Sequence, residues 1–191
     1  VGTLSIYTLI SEGSRKYADG EDRILGRILA NDIQSQIVAD VRRQYEPDWN
    51  RRQLANRSYS EARTPSVPAA LLELLSHQNF ADMKYGLDPA FRFTVSRAVY
   101  KGMLKFLSGR YGVRYCVQPL PVHSFSATLT GEGKVQLSWR PTLDSLELTA
   151  MPDRYMLYTR IDDGAFDNGE LLTGLRHEDG RLTIDRNIDK G

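Results

Sequence analysis

Residues 67–82 read VPAALLELLSHQNFAD, and the folding of this stretch decides the architecture around it. The run is apolar as far as Leu75 apart from Glu73, and Ser76, His77, Gln78, Asn79 and Asp82 come just after. A loop bounded by prolines, Thr64-Pro65-Ser66-Val67-Pro68, precedes it. A short, continuous apolar run between turn signals predicts a buried strand of a parallel sheet. In open α/β sheets ligands gather beyond the carboxyl ends of the strands. Glu73 is therefore a candidate active-site carboxylate.

On the C-terminal side, Asp88-Pro89 predicts a helix start, with Asp88 as N-cap and Pro89 in the first helical position. Phe91, Val95, Ala98, Val99, Gly102, Met103, Phe106 and Leu107 share one face, Arg97, Lys101 and Lys105 the other, and Gly109 is the expected C-cap. On the N-terminal side, Thr3–Ile10 (TLSIYTLI) reads as a strand and the polar segment Ser11–Gly20 as a loop. A helix follows over about 21–45, with an apolar stripe of Ile24, Ile28, Leu29, Ile33, Ile37, Val38 and Val41, and Arg42 and Arg43 in its last turn. Strand, loop and helix recur in that order through residues 1–109, which argues for an α/β domain: a layered sheet with flanking helices.

Between these elements, Asp48–Arg63 carries four arginines and two aromatics, Trp49 and Tyr59, both read as exposed. Basic, aromatic segments can bind single-stranded nucleic acid, but four arginines are a weak signal for it. The better reading is a loop and edge strand bordering a polar or anionic substrate, with Tyr59, Glu61 and Arg63 alternating onto one face.

Composition is ordinary for a globular protein: 191 residues, 41% hydrophobic, 26% charged, net charge +1. The charge is uneven, with 17 Lys+Arg against 12 Asp+Glu in residues 1–116 and 8 against 12 in residues 117–191. That asymmetry suggests two units. The lone cysteine, Cys116, excludes an internal disulfide and is expected to be a buried small hydrophobe. Nothing resembles a signal peptide or a membrane span of about 20 apolar residues. Val1 reads as an internal start.

After residue 109 the pattern changes. Phe125–Leu129 and Val135–Trp139 alternate with period two across Gly131-Glu132-Gly133, which predicts a hairpin. Tyr155–Ile161 reads as another strand, and Thr183-Ile184 as the start of a short one. The second unit is expected to be all-β.

Two segments, PAALLELLSHQNFAD and DPAFRFTVSRAVYKGMLKFL, resemble the C-terminal half of the zinc-dependent N-acetylmuramoyl-L-alanine amidases. These α/β hydrolases cut the amide between muramic acid and the first alanine of peptidoglycan. The LLSHQNF variant is similar to larger secreted members from Bacteroidetes-type bacteria. Residues 122–191 resemble the first strands of a fibronectin type III domain, with Trp139 and Tyr155/Tyr158 in its core positions; the last strands of that fold are missing. The expected domains are thus 1–116, amidase-like, and 117–191, an incomplete all-β fibronectin type III-like sandwich. Because the family's two histidines and one glutamate that hold zinc lie upstream of the aligned region, the resemblance implies an internal piece of a larger enzyme with no metal ligand in this chain. It also implies a secreted, periplasmic or cell-surface location.

The resemblance makes Glu73 the general base, accepting a proton from the attacking water and passing it to the leaving amine. At the mouth of an apolar strand its carboxyl is expected to be partly desolvated. The competing reading is a buried Glu73 paired with an arginine such as Arg63. Arg63, His77 and Asn79 are the candidate substrate-binding residues. Glu73, His77 and Asp82 are a zinc-compatible set in residue type, though not in spacing. Ser76 lacks the glycine-flanked elbow of a nucleophile. The alternative to an enzyme is a non-catalytic surface module binding cell-wall or other polysaccharide.

Overall fold

A computed structural model describes residues 2–131 and 133–187; Val1, and Glu132 of the expected hairpin turn, lie outside the described residues. The chain divides into two compact units, 1–115 and 116–191.

In the first unit, β1 (Leu4–Tyr7) leads through a loop to α1 (Ile24–Gln44). The Asp22 carboxylate starts that helix by accepting from the Ile24 amide at 2.8 Å. Its buried face runs through Gly26, Ala30, Gln34, Ile37, Val38, Asp40 and Val41. The expected stripe therefore holds only in the C-terminal half of the helix, and Ile28 is exposed. On the buried face the Gln34 side-chain amide donates to the Thr3 and Arg52 carbonyls at 2.6 and 2.8 Å.

The chain returns as β2 (Ala55–Asn56), parallel to β1, completing a β-helix-β crossover. A four-residue helix, α2 (Ser60–Arg63), follows where an alternating edge strand was expected, so Tyr59, Glu61 and Arg63 do not share a strand face. The decisive stretch then forms β3, only Leu71–Glu73, paired antiparallel with β1. The sheet order is β2-β1-β3. The expected buried parallel strand is thus corrected to a short antiparallel edge strand, with Leu71 and Leu72 half-buried and Glu73 exposed. Helix α1 packs on the sheet through Thr3 and its neighbours, so the strand is not sandwiched between two helical layers as a parallel interior strand would be.

Helices α3 (Phe80–Leu87) and α4 (Pro89–Tyr111) complete the unit. Asp88 caps α4 as expected, accepting from the Ala90 amide. The helix runs past Gly109 and stops at Gly112, which adopts the left-handed conformation at φ 63°. Phe91, Val95 and Ala98 of α4 meet Ile37, Val38 and Val41 of α1 in the core. Trp49, expected to be exposed, is buried there instead, with its indole N–H donating to the Thr3 hydroxyl at 2.8 Å. It joins Tyr45, Tyr85 and Phe91 in a cluster with ring centroids 5.1–6.3 Å apart.

The two long helices touch closely at Gly102, where a Cβ would lie 2.6 Å from the Cα of Ile33. Lys101, expected on the solvent face, is 2% exposed, with its ammonium 2.7 Å from the Asp40 carboxylate. Burial of that charge is made tolerable by its partner.

The second unit holds a four-stranded antiparallel sheet, ordered β4-β5-β9-β8, from β4 (His123–Gly131), β5 (Lys134–Arg140), β8 (Arg176–Glu178) and β9 (Arg181–Asn187). A separate ladder pairs β6 (Met156–Leu157) with β7 (Glu170–Leu171). Leu137, Trp139, Leu172, Leu182 and Ile184 form the core, and the Trp139 ring packs 5.3 Å from that of Tyr155. Tyr158, by contrast, is 54% exposed. The expected strand over 155–161 shrinks to two residues because Asp167 takes up the backbone N–H and the hydroxyl of Thr159. Cys116 is exposed, not buried.

Candidate functional site

Adjacent residues of a strand point to opposite faces, and directly paired residues share a face. Leu4 lies opposite Glu73 in the β1–β3 ladder. Leu4, Ile6 and Glu73 accordingly line one concavity, of about 770 Å³, whose remaining wall is the segment from Asn50 to Arg57 together with Tyr59. Glu73 is exposed and has no hydrogen bond or ion pair through its side chain among the described residues. Neither expected environment is therefore present: the carboxylate is not desolvated at the mouth of an apolar strand, and it is not a buried partner of Arg63.

The wall is basic. Arg51 is held on α1, donating to the Asn31 side-chain oxygen at 2.9 Å, and Arg57 donates to the Asn56 carbonyl at 3.0 Å. Arg57 is also fastened by its backbone, donating to the Tyr7 carbonyl and accepting from the Thr8 hydroxyl. With Arg52, three arginines and one acid, Glu73, line the concavity. Such a surface suits a polar ligand bearing negative charge.

The other candidates are placed elsewhere. Arg63 ends α2 and lines a second concavity, of about 510 Å³, to which Glu73 does not contribute. His77 is exposed in the turn after β3 and lines neither concavity. Asn79 is the N-cap of α3, accepting from the Asp82 amide at 3.1 Å. Asp82 is buried and accepts from the Ser76 amide at 2.9 Å. Ser76, Asn79 and Asp82 thus spend their side-chain oxygens on folding their own turn.

No group of three or more His, Cys, Asp or Glu side chains that could hold a metal occurs among the described residues. Glu73 stands on a strand and Asp82 is used inside the turn, so the set that residue types allowed is not assembled. Arg51, Arg52 and Arg57 lie in the 48–63 segment expected to border a substrate, but their grouping with Glu73 follows only from the β2-β1-β3 order. The part of the wall formed by Leu4 and Ile6 carries no chemical signal in the sequence.

No family model and no curated protein sequence matches the chain. One solved structure, the CwlD amidase from Clostridioides difficile in complex with the GerS lipoprotein, is similar to it over 56% of this chain and 47% of that one. The TM-score is 0.43 and the sequence identity 20%. The chain spans about half the length of that amidase, and a likeness at this level decides neither fold nor activity.

Proposed function

We propose that this chain belongs to a secreted bacterial N-acetylmuramoyl-L-alanine amidase of the zinc-dependent kind, acting on peptidoglycan or a related cell-wall glycopeptide, and that Glu73 is its general base. The observation that carries the reading is the position of Glu73: the last residue of β3, exposed in a polar concavity, within the segment that resembles the amidases. In this proposal Glu73 takes a proton from water as the oxygen attacks the amide carbon. The carbon–nitrogen bond then breaks, and the same carboxyl returns the proton to the departing amine. The zinc that the resemblance implies finds no ligand set among the described residues. This chain's share of the chemistry is confined to the carboxylate and the walls around it.

Residues 117–191 we assign to an incomplete fibronectin type III-like domain following the amidase-like residues 1–116. The antiparallel run β4-β5-β9 and the buried Trp139 beside Tyr155 support that assignment. No helix among the described residues is long and apolar enough to cross a membrane.

The test is Glu73→Gln in a longer protein that carries this chain together with a histidine-bearing upstream segment. Turnover of muramoyl-peptide is expected to fall by about 10²–10⁴-fold, the usual contribution of a positioned general base. Equal turnover by the variant sinks the assignment. The 191 residues alone, given zinc, are expected to release no amine; release would show that the chain builds its own metal site.

A further inference from the structure

Arg23 is a buried charge of the first unit. Just ahead of α1, it is 7% exposed, yet no carboxylate pairs with it among the described residues. One terminal nitrogen donates to the Arg63 carbonyl at 3.2 Å, the guanidinium carbon lies 4.5 Å from the centroid of the Tyr17 ring, and the buried Nε has no hydrogen-bond partner. Burying a cation without an acid is costly. The ring face offsets part of that cost. Tyr17 is not the counter-charge, because burial raises its pKa above the ordinary phenol value and keeps it neutral.

The second concavity gathers more positive charge around Arg23. Lys16 and Arg63 line it with Arg23 itself, the hydroxyls of Ser11 and Ser66 add donors, and Glu12 is its one acid. Its volume of about 510 Å³ lies in the range of small-molecule sites. Helix α2 connects the two concavities in the chain: Tyr59, its N-cap, lines the first and Arg63, its last residue, the second.

We propose that this second concavity recognises an oxyanion, a carboxylate or phosphate group on a ligand, with Lys16 and Arg63 contacting it and Arg23 supplying buried positive charge behind them. The bound anion completes the charge balance that the fold leaves open at Arg23. The proposal does not depend on the role given to Glu73.

The test is a nuclear magnetic resonance titration of the isotopically labelled 191-residue chain at constant ionic strength, observing the Arg23 Nε–H. Inorganic phosphate and N-acetyl-alanyl-glutamate are the two probes, and the peptide's diamide is the uncharged control. A saturable shift with at least one anion, and none with the diamide, is the expected result. Response to the peptide alone assigns the site to carboxylates, and response to phosphate alone to phosphate-bearing ligands. Arg63→Gln and Lys16→Gln, which alter half-buried and exposed side chains, are each expected to weaken the apparent affinity about tenfold. The proposal is overturned if neither anion gives a saturable shift, or if both substitutions leave the affinity unchanged.

Discussion

Thr3 turns toward α1, where its carbonyl and hydroxyl meet Gln34 and Trp49, whereas Leu4, Ile6 and Glu73 line a concavity. The same strands make both surfaces. On the helix side the donors are tied down: the Gln34 amide nitrogen reaches two carbonyls, and the Trp49 indole reaches Thr3. On the concavity side the Glu73 carboxylate is left unbonded among the described residues. The contrast teaches that packing and chemistry are separated by the alternation of one short ladder. A one-residue slip of β3 against β1 would replace Glu73 by a leucine at the concavity. What locks that register is the core behind it, where Leu72, Leu74 and Leu75 pack against the α1–α4 cluster.

If the helix side carries the stability, breaking it must cost most. The largest effect is expected from Asp40→Ala, which leaves the Lys101 ammonium buried beside a cavity. The loss should be about 3–5 kcal/mol, read from urea unfolding by Trp49 fluorescence in a Trp139→Phe background. A loss under about 1 kcal/mol, the scale of an exposed pair, would break the comparison.

Gly102→Ala should cost about 1–3 kcal/mol in the same assay, because the new methyl would press on the Ile33 backbone rather than on a movable side chain. Asn79→Ala removes the α3 cap and should cost about 1 kcal/mol. If Asn79 instead binds ligand and contributes nothing to the cap, stability will not change.

Glu73→Gln should leave stability within about 0.5 kcal/mol of the parent, since the carboxylate is exposed and unbonded. A large change would mean that the concavity side is structural after all.

An exposed carboxylate that is bonded provides the contrast to Glu73. In the second unit Asp167 accepts from the Thr159 hydroxyl and from the Gly169 and Thr159 amides, which holds its pKa below the ordinary carboxylate value. Its contribution to stability is therefore present above that ordinary value and is lost as pH falls through the folded one. Thr159→Val should move the Asp167 titration, followed by nuclear magnetic resonance, upward toward the ordinary range; an unmoved titration would remove the hydroxyl as the leading cause.

Elements whose signals lie within one or two turns of chain were legible. Asp88-Pro89 starts α4, Arg42 and Arg43 fall in the last turn of α1, and the alternation of 125–129 and 135–139 forms paired strands. The pairing direction of β3 was not, because a run of apolar residues is the same in either direction. Nor was the burial of Lys101 or Trp49, since each depends on a partner remote in sequence, Asp40 in one case and Thr3 in the other. Of the candidate site, Glu73 could be singled out from its position at the end of an apolar run. Its separation from Arg63 could not, because α2 replaces the strand that would have aligned Tyr59, Glu61 and Arg63.

By itself, then, the amino-acid sequence determined the two long helices α1 and α4, the hairpin, the change from α/β to β and the presence of a carboxylate after VPAALL, all of which rest on local propensity, capping and periodicity. Tertiary structure decided which way that carboxylate faces, that three arginines share its concavity, and that Asn79 and Asp82 fold the turn after β3. The physical reason is that a side chain's environment is set by what packs and pairs across the sheet, and the ladder joining Leu4 to Glu73 spans most of the first unit's sequence.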